Sequence, residues 1–386
     1  MPMKKAQEAA HEAHFILSCI TDNFSSLSLL LQIPDKYVIK YGFGEIMENK
    51  AKKGNATSKN KQKIKIVGIG SYTPDKVLTN ADLEKMVDTS DEWIVSRTGI
   101  KERRIASDDQ ATSDLGIEAG RLALKDAGLT ADDIDLILVA TNTTDTPFPS
   151  TACWIQKALK ADHVPAFDIS AGCTAFIYGM IIAESLIVSG TNKRILLLGP
   201  ETLSKVTNWK NRNTCILFGD GAGAVVLEES LDDSGMLSSY WGADGNLADL
   251  LSLPGGGSRI PVTHDMVDQN LHYLHMKGNE VFKHAVKRMG EAAVESLKEA
   301  GLTTDDVDYL IPHQANIRII DATGRRLKLP PEKVFVNIHK YGNMSVATVP
   351  VGLAELYQEG KLKKGDIIVM DAFGAGFTWA ALVYRW

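Results

Sequence analysis

Cys173, His313 and Asn343 are the residues of this chain whose types could combine in covalent chemistry. A cysteine is a nucleophile as its thiolate, which forms readily only where the surroundings lower its pKa. Imidazole and carboxamide groups can stabilise an oxyanion by hydrogen bonding. Cys173 stands in Ala171-Gly172-Cys173-Thr174-Ala175-Phe176 after the apolar run Ala166 to Ile169, and Asn343 closes the segment Val336 to Asn343 after Gly342. Both are expected just beyond a strand and at the start of a helix, where free backbone N–H groups and the positive helix end favour a thiolate and bind oxyanions. His313 follows the apolar run Val307 to Ile311. Each also has an ordinary structural reading: a small buried thiol for Cys173, a satisfied strand-end histidine for His313, and a turn or N-cap residue for Asn343. Cys19, Cys153 and Cys215 lack comparable settings and are expected to be structural.

The elements that must hold these residues read as an α/β fold. Strand-like runs at Ile64 to Ile69, Leu136 to Ala140, Ala166 to Ile169 and Arg194 to Leu198 alternate with longer helix-like segments. Leu124-Lys125-Asp126-Ala127-Gly128-Leu129-Thr130 followed by Asp132-Asp133-Ile134-Asp135 recurs as Leu297-Lys298-Glu299-Ala300-Gly301-Leu302-Thr303 followed by Asp305-Asp306-Val307-Asp308. Both copies read as helix, glycine cap, turn and buried strand, so the chain is expected to be a duplicated α/β unit. Continued at nearly the same offset, the alignment sets Gly172-Cys173 opposite Gly342-Asn343. The three reactive groups then gather at strand ends, where α/β folds bind ligands.

Composition narrows the function classes. The 386 residues are 44% hydrophobic and 23% charged, which is ordinary for a globular chain and excludes collagen, coiled coil and disordered classes. The apolar stretch Phe15 to Ile33 is broken by Asp22 and Asn23, so no membrane span is expected. Few, scattered cysteines with no C-x-x-C pair argue against a disulfide framework, a zinc knuckle or a redox site and fit a reducing compartment. No metal site is expected. The early acidic residues argue against a transit peptide, and a cytoplasmic location is expected. Residues 50 to 65 carry seven lysines and no acid and read as a solvated linker. Residues 1 to 65 hold 11 lysines against 6 acids, leaving the remainder of this −6 chain at −11, which argues against nucleic acid as a partner.

Thr79-Asn80-Ala81-Asp82-Leu83, Asp91-Glu92-Trp93-Ile94, Arg97-Thr98-Gly99-Ile100, Ala171-Gly172-Cys173, Phe218-Gly219-Asp220-Gly221-Ala222-Gly223, Pro312-His313-Gln314-Ala315-Asn316, Gly342-Asn343 and Phe373-Gly374-Ala375-Gly376 stand in one order along residues 64 to 386. This region closely resembles β-ketoacyl-acyl-carrier-protein synthase III. The resemblance implies a thiolase-like fold of duplicated α/β halves in α/β/α/β/α layers, with residues 1–63 as an N-terminal extension, 64–235 as a half carrying Cys173, and 236–386 as a half carrying His313 and Asn343.

The resemblance also implies the initiating condensation of type II fatty acid synthesis. Acetyl-CoA would acylate Cys173, and malonyl-carrier protein would then condense on it with loss of carbon dioxide to give acetoacetyl-carrier protein. A helix dipole that lowers the thiol pKa would suit Cys173 to this role. His313 Nε2 and the Asn343 amide would stabilise the thioester enolate, and the N–H groups of Cys173 and Ala375 would hold the tetrahedral oxyanion. The family often has glycine where Ala375 stands, and the donor survives if the backbone there suits alanine.

Thr89-Ser90-Asp91-Glu92 reads as a capping box opening a helix with Trp93 and Arg97 on one face. By resemblance, Trp93 and Arg212 would sandwich the adenine of CoA, Arg97 would meet phosphate, and Asn279 and Asn316 would line the pantetheine tunnel. Lys283, Lys287, Gln314, Arg318, Arg325 and Arg326, with Lys328 beyond, are candidates for docking an acidic acyl carrier protein, although a solvated basic face explains them equally well. Thr143, Phe148 and Phe218 would bound the acyl pocket, Phe148 from the partner subunit of a homodimer. CoA thioesters enter as substrates, and no cofactor is expected. The alternatives are a synthase of this fold using a longer or branched primer for specialised metabolism, an inactive homologue, and a papain-type hydrolase. The duplication and the local sequence around Cys173 argue against the hydrolase, and retention of all three reactive residues argues against the inactive homologue.

Overall fold

A computed structural model of the chain describes residues 63–386. Apart from Lys63, Ile64 and Lys65, the expected extension and linker, with Cys19, lie outside the described residues.

The repeated segments fold alike. Helix α2 (Thr112–Asp126) and helix α4 (Gly278–Glu299) run into glycines with φ of +67° at Gly128 and +71° at Gly301. There Leu129 N–H donates to Leu124 O at 2.9 Å and Leu302 N–H to Leu297 O at 3.0 Å, closing the last turn of each helix. Thr130 and Thr303 follow with the same backbone angles, φ −116° and ψ 173°, each bonded to the aspartate three residues on. Strands β2 (Leu136–Ala140) and β7 (Tyr309–Pro312) come next.

Two sheets result. The first joins β1 (Lys63–Tyr72), β5 (Asp220–Ser230), β4 (Arg194–Thr202), β2 and β3 (Ala166–Ile169) in that spatial order. The second joins β7, β8 (Ile367–Gly374), β9 (Thr378–Arg385) and β6 (Gly235–Ala243). In each sheet a parallel pair (β2 with β4, β7 with β8) leads into two antiparallel ones. Helices α3 (Ala175–Val188) and α6 (Thr348–Gln358) pack against both sheets in one core cluster. Phe176, Ile177, Met180, Val349 and Leu353 there meet Leu197, Val225, Met370 and Leu382. A helix covered from both sides is apolar around its circumference, as α3 is. Helix α2 covers the outer face of the first sheet and α4 that of the second, giving α/β/α/β/α layers. Among the described residues no helix is long and apolar enough to cross a membrane.

Three local expectations are corrected. The linker reading of residues 50 to 65 gives way to strand β1 from Lys63, because Lys63-Ile64-Lys65-Ile66 alternates: Ile64 is buried while Lys65 Nζ reaches Glu228 Oε1 at 3.5 Å. The strand expected at Val336 shrinks to one bridge between Val334 and Leu310, followed by a short helix at Ile338–Tyr341. The cause is Gln314. Its Nε2 donates to Pro312 O (2.9 Å) and Phe335 O (3.1 Å), and its Oε1 accepts from Asn337 N (3.0 Å) and Ile338 N (3.2 Å). The side chain thus occupies backbone groups a longer strand would have paired. Gln314 is therefore a buried brace rather than a docking residue. Finally, helix α1 (Asp91–Thr98) is capped by Ser90, whose Oγ accepts from Trp93 N, and not by Thr89 in a capping box.

Two measurements follow. Gln314→Leu leaves four buried backbone groups short of a partner and is expected to lower the unfolding free energy by about 2–4 kcal/mol in denaturant titration; a docking role would leave stability unchanged. Asp371 on β8 has both carboxyl oxygens buried without a partner among the described residues, and burial pushes its pKa from 3.8 up to about 8. The native state then holds a proton that the unfolded chain has released, so this group's stabilisation is lost as pH rises from about 4 to about 8. Asp371→Asn is expected to remove that decline.

Candidate active site

Two close approaches weld the halves together beside Cys173. Gly172 has φ +58°, and a Cβ there would stand 2.5 Å from Ala375 N; a Cβ on Gly374 would stand 2.2 Å from Cys173 N. Only glycine permits this contact between the turn entering α3 and the end of β8. Thr378 adds a bond from Oγ1 to Ala171 O at 2.8 Å. Ala375 lies outside the left-handed region, so alanine fits and its N–H remains beside Gly172.

Asn343 and His313 come from the second half. Asn343 is pinned through its backbone: its N–H donates to Leu217 O at 2.8 Å, and its O accepts from Gly219 N at 3.1 Å. That bridge is the work of the Phe218-Gly219 turn, which Asp220 anchors by accepting from Ala106 N and Ser204 N. Asn343 Oδ1 accepts from Ser345 N at 2.8 Å, leaving the Nδ2 donors free to face the cavity. His313 continues the strand ladder through its N–H to Asp371 O, and its Nδ1 lies 2.6 Å from Thr348 Oγ1. Cys173, His313, Asn343 and Ala375 all line one cavity of about 690 Å³, with Thr143, Phe218, Asn279 and Asn316.

Burial governs the ionisation of this site. It pushes the Cys173 thiol up to about 12, although α3 begins two residues on. That direction runs against the expected thiolate, while the start of α3 favours one, so the two influences oppose each other at Cys173. Burial also holds His313 down at about 3, so the imidazole is neutral. Among the described residues no group of histidine, cysteine or acidic side chains could hold a metal ion.

Sequence reasoning missed Ser345, Thr348, Asn142 and Glu201. Ser345 Oγ lies 3.2 Å from Cys173 Sγ. Glu201, fully buried at the end of β4, accepts from Asn142 Nδ2 at 2.7 Å and Thr143 Oγ1 at 2.5 Å. One carboxylate closing an otherwise apolar strand was the available signal.

The remaining candidates sit toward the mouth or on the surface. Trp93 has the guanidinium carbons of Arg97 and Arg212 each 4.8 Å from its ring centroid. The slot expected between Trp93 and Arg212 is thus closed by direct contact, with Arg212 Nη1 donating to Asp88 O at 2.9 Å. Thr89 is partly buried with its hydroxyl unpartnered among the described residues. Asn316 caps helix α5 (Ile317–Arg326) and donates from Nδ2 to Arg97 O at 2.9 Å, so its amide ties α5 to α1 as well as lining the cavity. Lys283, Lys287, Arg318, Arg325 and Arg326 are exposed on α4 and α5, with Lys328 just beyond. Phe148 is 84% exposed and does not line this chain's own cavity.

Comparison with known proteins agrees with this geometry. The family described as 3-oxoacyl-[acyl-carrier-protein (ACP)] synthase III matches residues 167–245, and its C-terminal counterpart matches residues 297–386. The chain is 57% identical over 321 residues to a beta-ketoacyl-[acyl-carrier-protein] synthase III of Caldanaerobacter subterraneus, covering 83% of this chain and 97% of that one. It is 52% identical over 323 residues to a protein of the same name from Desulfitobacterium hafniense, covering 84% and 98%. The crystal structure of 3-oxoacyl-[acyl-carrier-protein] synthase III from Aquifex aeolicus superposes with a TM-score of 0.78 at 49% identity, covering 84% of this chain and all of that one. With duplicated halves, a cysteine at the seam and this breadth of likeness, the chain belongs to the β-ketoacyl-[acyl-carrier-protein] synthase III family of condensing acyltransferases.

Proposed function

We propose that this enzyme initiates fatty acid synthesis through two half-reactions on Cys173: acyl transfer from acetyl-CoA, then decarboxylative condensation with malonyl-carrier protein. The observation that carries the assignment of roles is the convergence of Cys173, His313 and Asn343 on one cavity. In the first half-reaction Cys173 Sγ attacks the thioester carbonyl. The oxyanion lies against the N–H groups of Cys173 and Ala375, and CoA departs. In the second, loss of carbon dioxide from the malonyl group leaves an enolate whose oxygen is held by His313 Nε2 and Asn343 Nδ2, while its carbon attacks the acetyl group. The products are acetoacetyl-carrier protein and free Cys173.

This division of labour requires His313 to carry its proton on Nε2. Thr348 Oγ1 lies 2.6 Å from His313 Nδ1 and 2.8 Å from Ser345 O, so the proposed role requires the hydroxyl proton to turn from that carbonyl, which Thr348 N–H also serves, toward Nδ1, placing the imidazole proton on Nε2. Both half-reactions balance without a cofactor.

Substrate binding follows the surface features. Arg97 and Arg212 supply charge for CoA phosphates and Trp93 a face for adenine, with Arg212 swinging off the ring to admit the base and Thr89 beside it. Asn279 and Asn316 border the pantetheine path. Lys283, Lys287, Arg318, Arg325 and Arg326 form the cationic face for an acidic carrier protein, local charge offsetting an acidic body. Thr143 and Phe218 bound the acyl pocket, and the exposed Phe148 completes that of a second subunit in a homodimer. The free thiols Cys153, Cys173 and Cys215 suit a reducing cytoplasm.

Cys173→Ser is expected to abolish acetyl loading, read as an acetyl mass increment on the intact chain. His313→Ala and Asn343→Ala are expected to load normally yet lose about 10²–10³-fold in condensation; equal loss of loading in all three variants would sink this division of labour. Because His313 stays neutral down to about 3, decarboxylation should show no inflection near the ordinary histidine value of about 6.5. A pH–rate profile of carbon dioxide release checks this.

A further inference from the structure

Asn80, in the motif Thr79-Asn80-Ala81-Asp82-Leu83, has no part in the chemistry proposed above, yet it touches a fully buried cation. That cation is Arg103, on a two-stranded ribbon of Val77–Thr79 with Glu102–Arg104, and it is 0% exposed. Its guanidinium bonds carbonyls and an amide rather than a carboxylate. Nη1 donates to Leu78 O at 3.2 Å and to Asn80 Oδ1 at 2.9 Å, and Nη2 donates to Ile216 O at 2.7 Å. Burial lowers its pKa only to about 10, so the group stays cationic near neutral pH. Burying such a charge costs stability that an apolar side chain would not incur, and the use of the group lies in what its donors hold.

We propose that Arg103 is a positioning residue that ties the CoA-binding helix α1 to the turn holding Asn343. One arm runs through Asn80, itself 1% exposed. A guanidinium has no acceptor, so it fixes Oδ1 as the end of the amide that faces it. Nδ2 is thereby turned to α1, where it donates to Asp91 Oδ1 in the first turn and to Ile100 O just beyond the last, both at 2.8 Å. One amide thus clamps both ends of the helix that carries Trp93 and Arg97.

The other arm runs through Ile216. That residue ends the short helix Arg212–Cys215 and precedes Leu217, whose carbonyl accepts the Asn343 N–H. The body of Arg103 supports the same turn. A Cβ on Gly219 would stand 3.0 Å from Arg103 Cβ, and one on Gly342, at φ +67°, would stand 3.2 Å from it. These two glycines flank the Phe218–Asn343 bridge, so Arg103 forms the floor beneath it. Where Arg212 meets Trp93, the two arms close into a ring around Arg103. Arg103 does not itself line the cavity and acts on substrate only through Trp93, Arg97 and Asn343.

The inference rests on Trp93 and Arg97 as CoA ligands and on Asn343 as a condensation residue, and the experiment tests that reading separately. Full-length wild type, Asn80→Asp, Arg103→Met and Arg103→Lys are compared, with Trp93→Ala and Asn343→Ala alongside. Two quantities are read: the KM for acetyl-CoA in loading of Cys173, followed by intact mass, and the rate at which fully loaded enzyme condenses with malonyl-carrier protein. Asn80→Asp keeps the shape and the bond from Arg103 but removes the donors to α1, so it should raise the KM about 3–10-fold and spare condensation. Arg103→Met should raise the KM equally and also slow condensation about 10–100-fold. Arg103→Lys, which keeps the charge and a donor, should recover part of both losses. Lower thermal stability with wild-type KM and condensation rate in the Arg103 variants makes Arg103 scaffolding and overturns the coupling, as does loss of only one of the two quantities in Arg103→Met. Should Arg103→Met fail to fold, Asn80→Asp with a wild-type KM overturns it. Trp93→Ala with an unchanged KM, or Asn343→Ala with an unchanged condensation rate, overturns the reading of the site on which the inference rests.

Discussion

The site hangs on the left-handed backbone at Ser345. Its N–H fixes Asn343 Oδ1, its carbonyl engages Thr348, which in turn holds His313 Nδ1, and its hydroxyl meets Cys173 Sγ. One residue therefore sets the orientation of groups from three chain segments far apart in sequence. A positive φ on serine costs on the order of 1 kcal/mol. It is offset because the turn is locked from both sides, by the Leu217–Gly219 backbone holding Asn343 and by the start of α6 at Thr348. Preorganisation of this kind matters where a half-ångström error costs rate.

The duplicated architecture is what delivers Ser345 to Cys173. Each half ends a parallel pair at the same edge of its sheet and then turns into a central helix, α3 after Cys173 and α6 after Asn343. Because α3 and α6 share one apolar core between the sheets, their N-terminal turns face each other across the seam. The glycines at 172 and 374 bring the backbones closer than any side chain allows. The second half has sacrificed the counterpart of β3, and Gln314 occupies the backbone groups thus freed. That opens the edge on which Asn343 sits.

Much of this was legible in the residues. The repeat at Leu124 and Leu297 announced two similar halves because helix caps and turns are local: Gly128, Thr130 and Asp133 fix their geometry within a few residues, as do Gly301, Thr303 and Asp306. Cys173, His313 and Asn343 stood out because their chemistry is rare at strand ends. Gln314 was misjudged because it neighbours His313 in a polar stretch, and only tertiary packing shows that its amide faces backbone. Ser345 and Glu201 were missed for the same reason: serine is common near turns, and a glutamate becomes informative only when β4 carries it inside. The thiol pKa was expected to fall because a helix end is visible in sequence, whereas the desolvation opposing it belongs to the closed cavity.

That desolvation bears on why the site relies on neutral groups. In the proposed reaction negative charge appears twice, on the tetrahedral oxygen and on the enolate oxygen, and each must be stabilised without being quenched. An imidazolium beside the enolate could deliver a proton to its carbon and end the reaction as simple decarboxylation. Burial keeps His313 neutral over the whole working range, so it donates a hydrogen bond and retains its proton. A cation placed to lower the thiol pKa would also attract the malonyl carboxylate and hinder its departure as carbon dioxide. A site whose imidazole burial keeps neutral, with no cation among the described residues set against the thiol, avoids both losses.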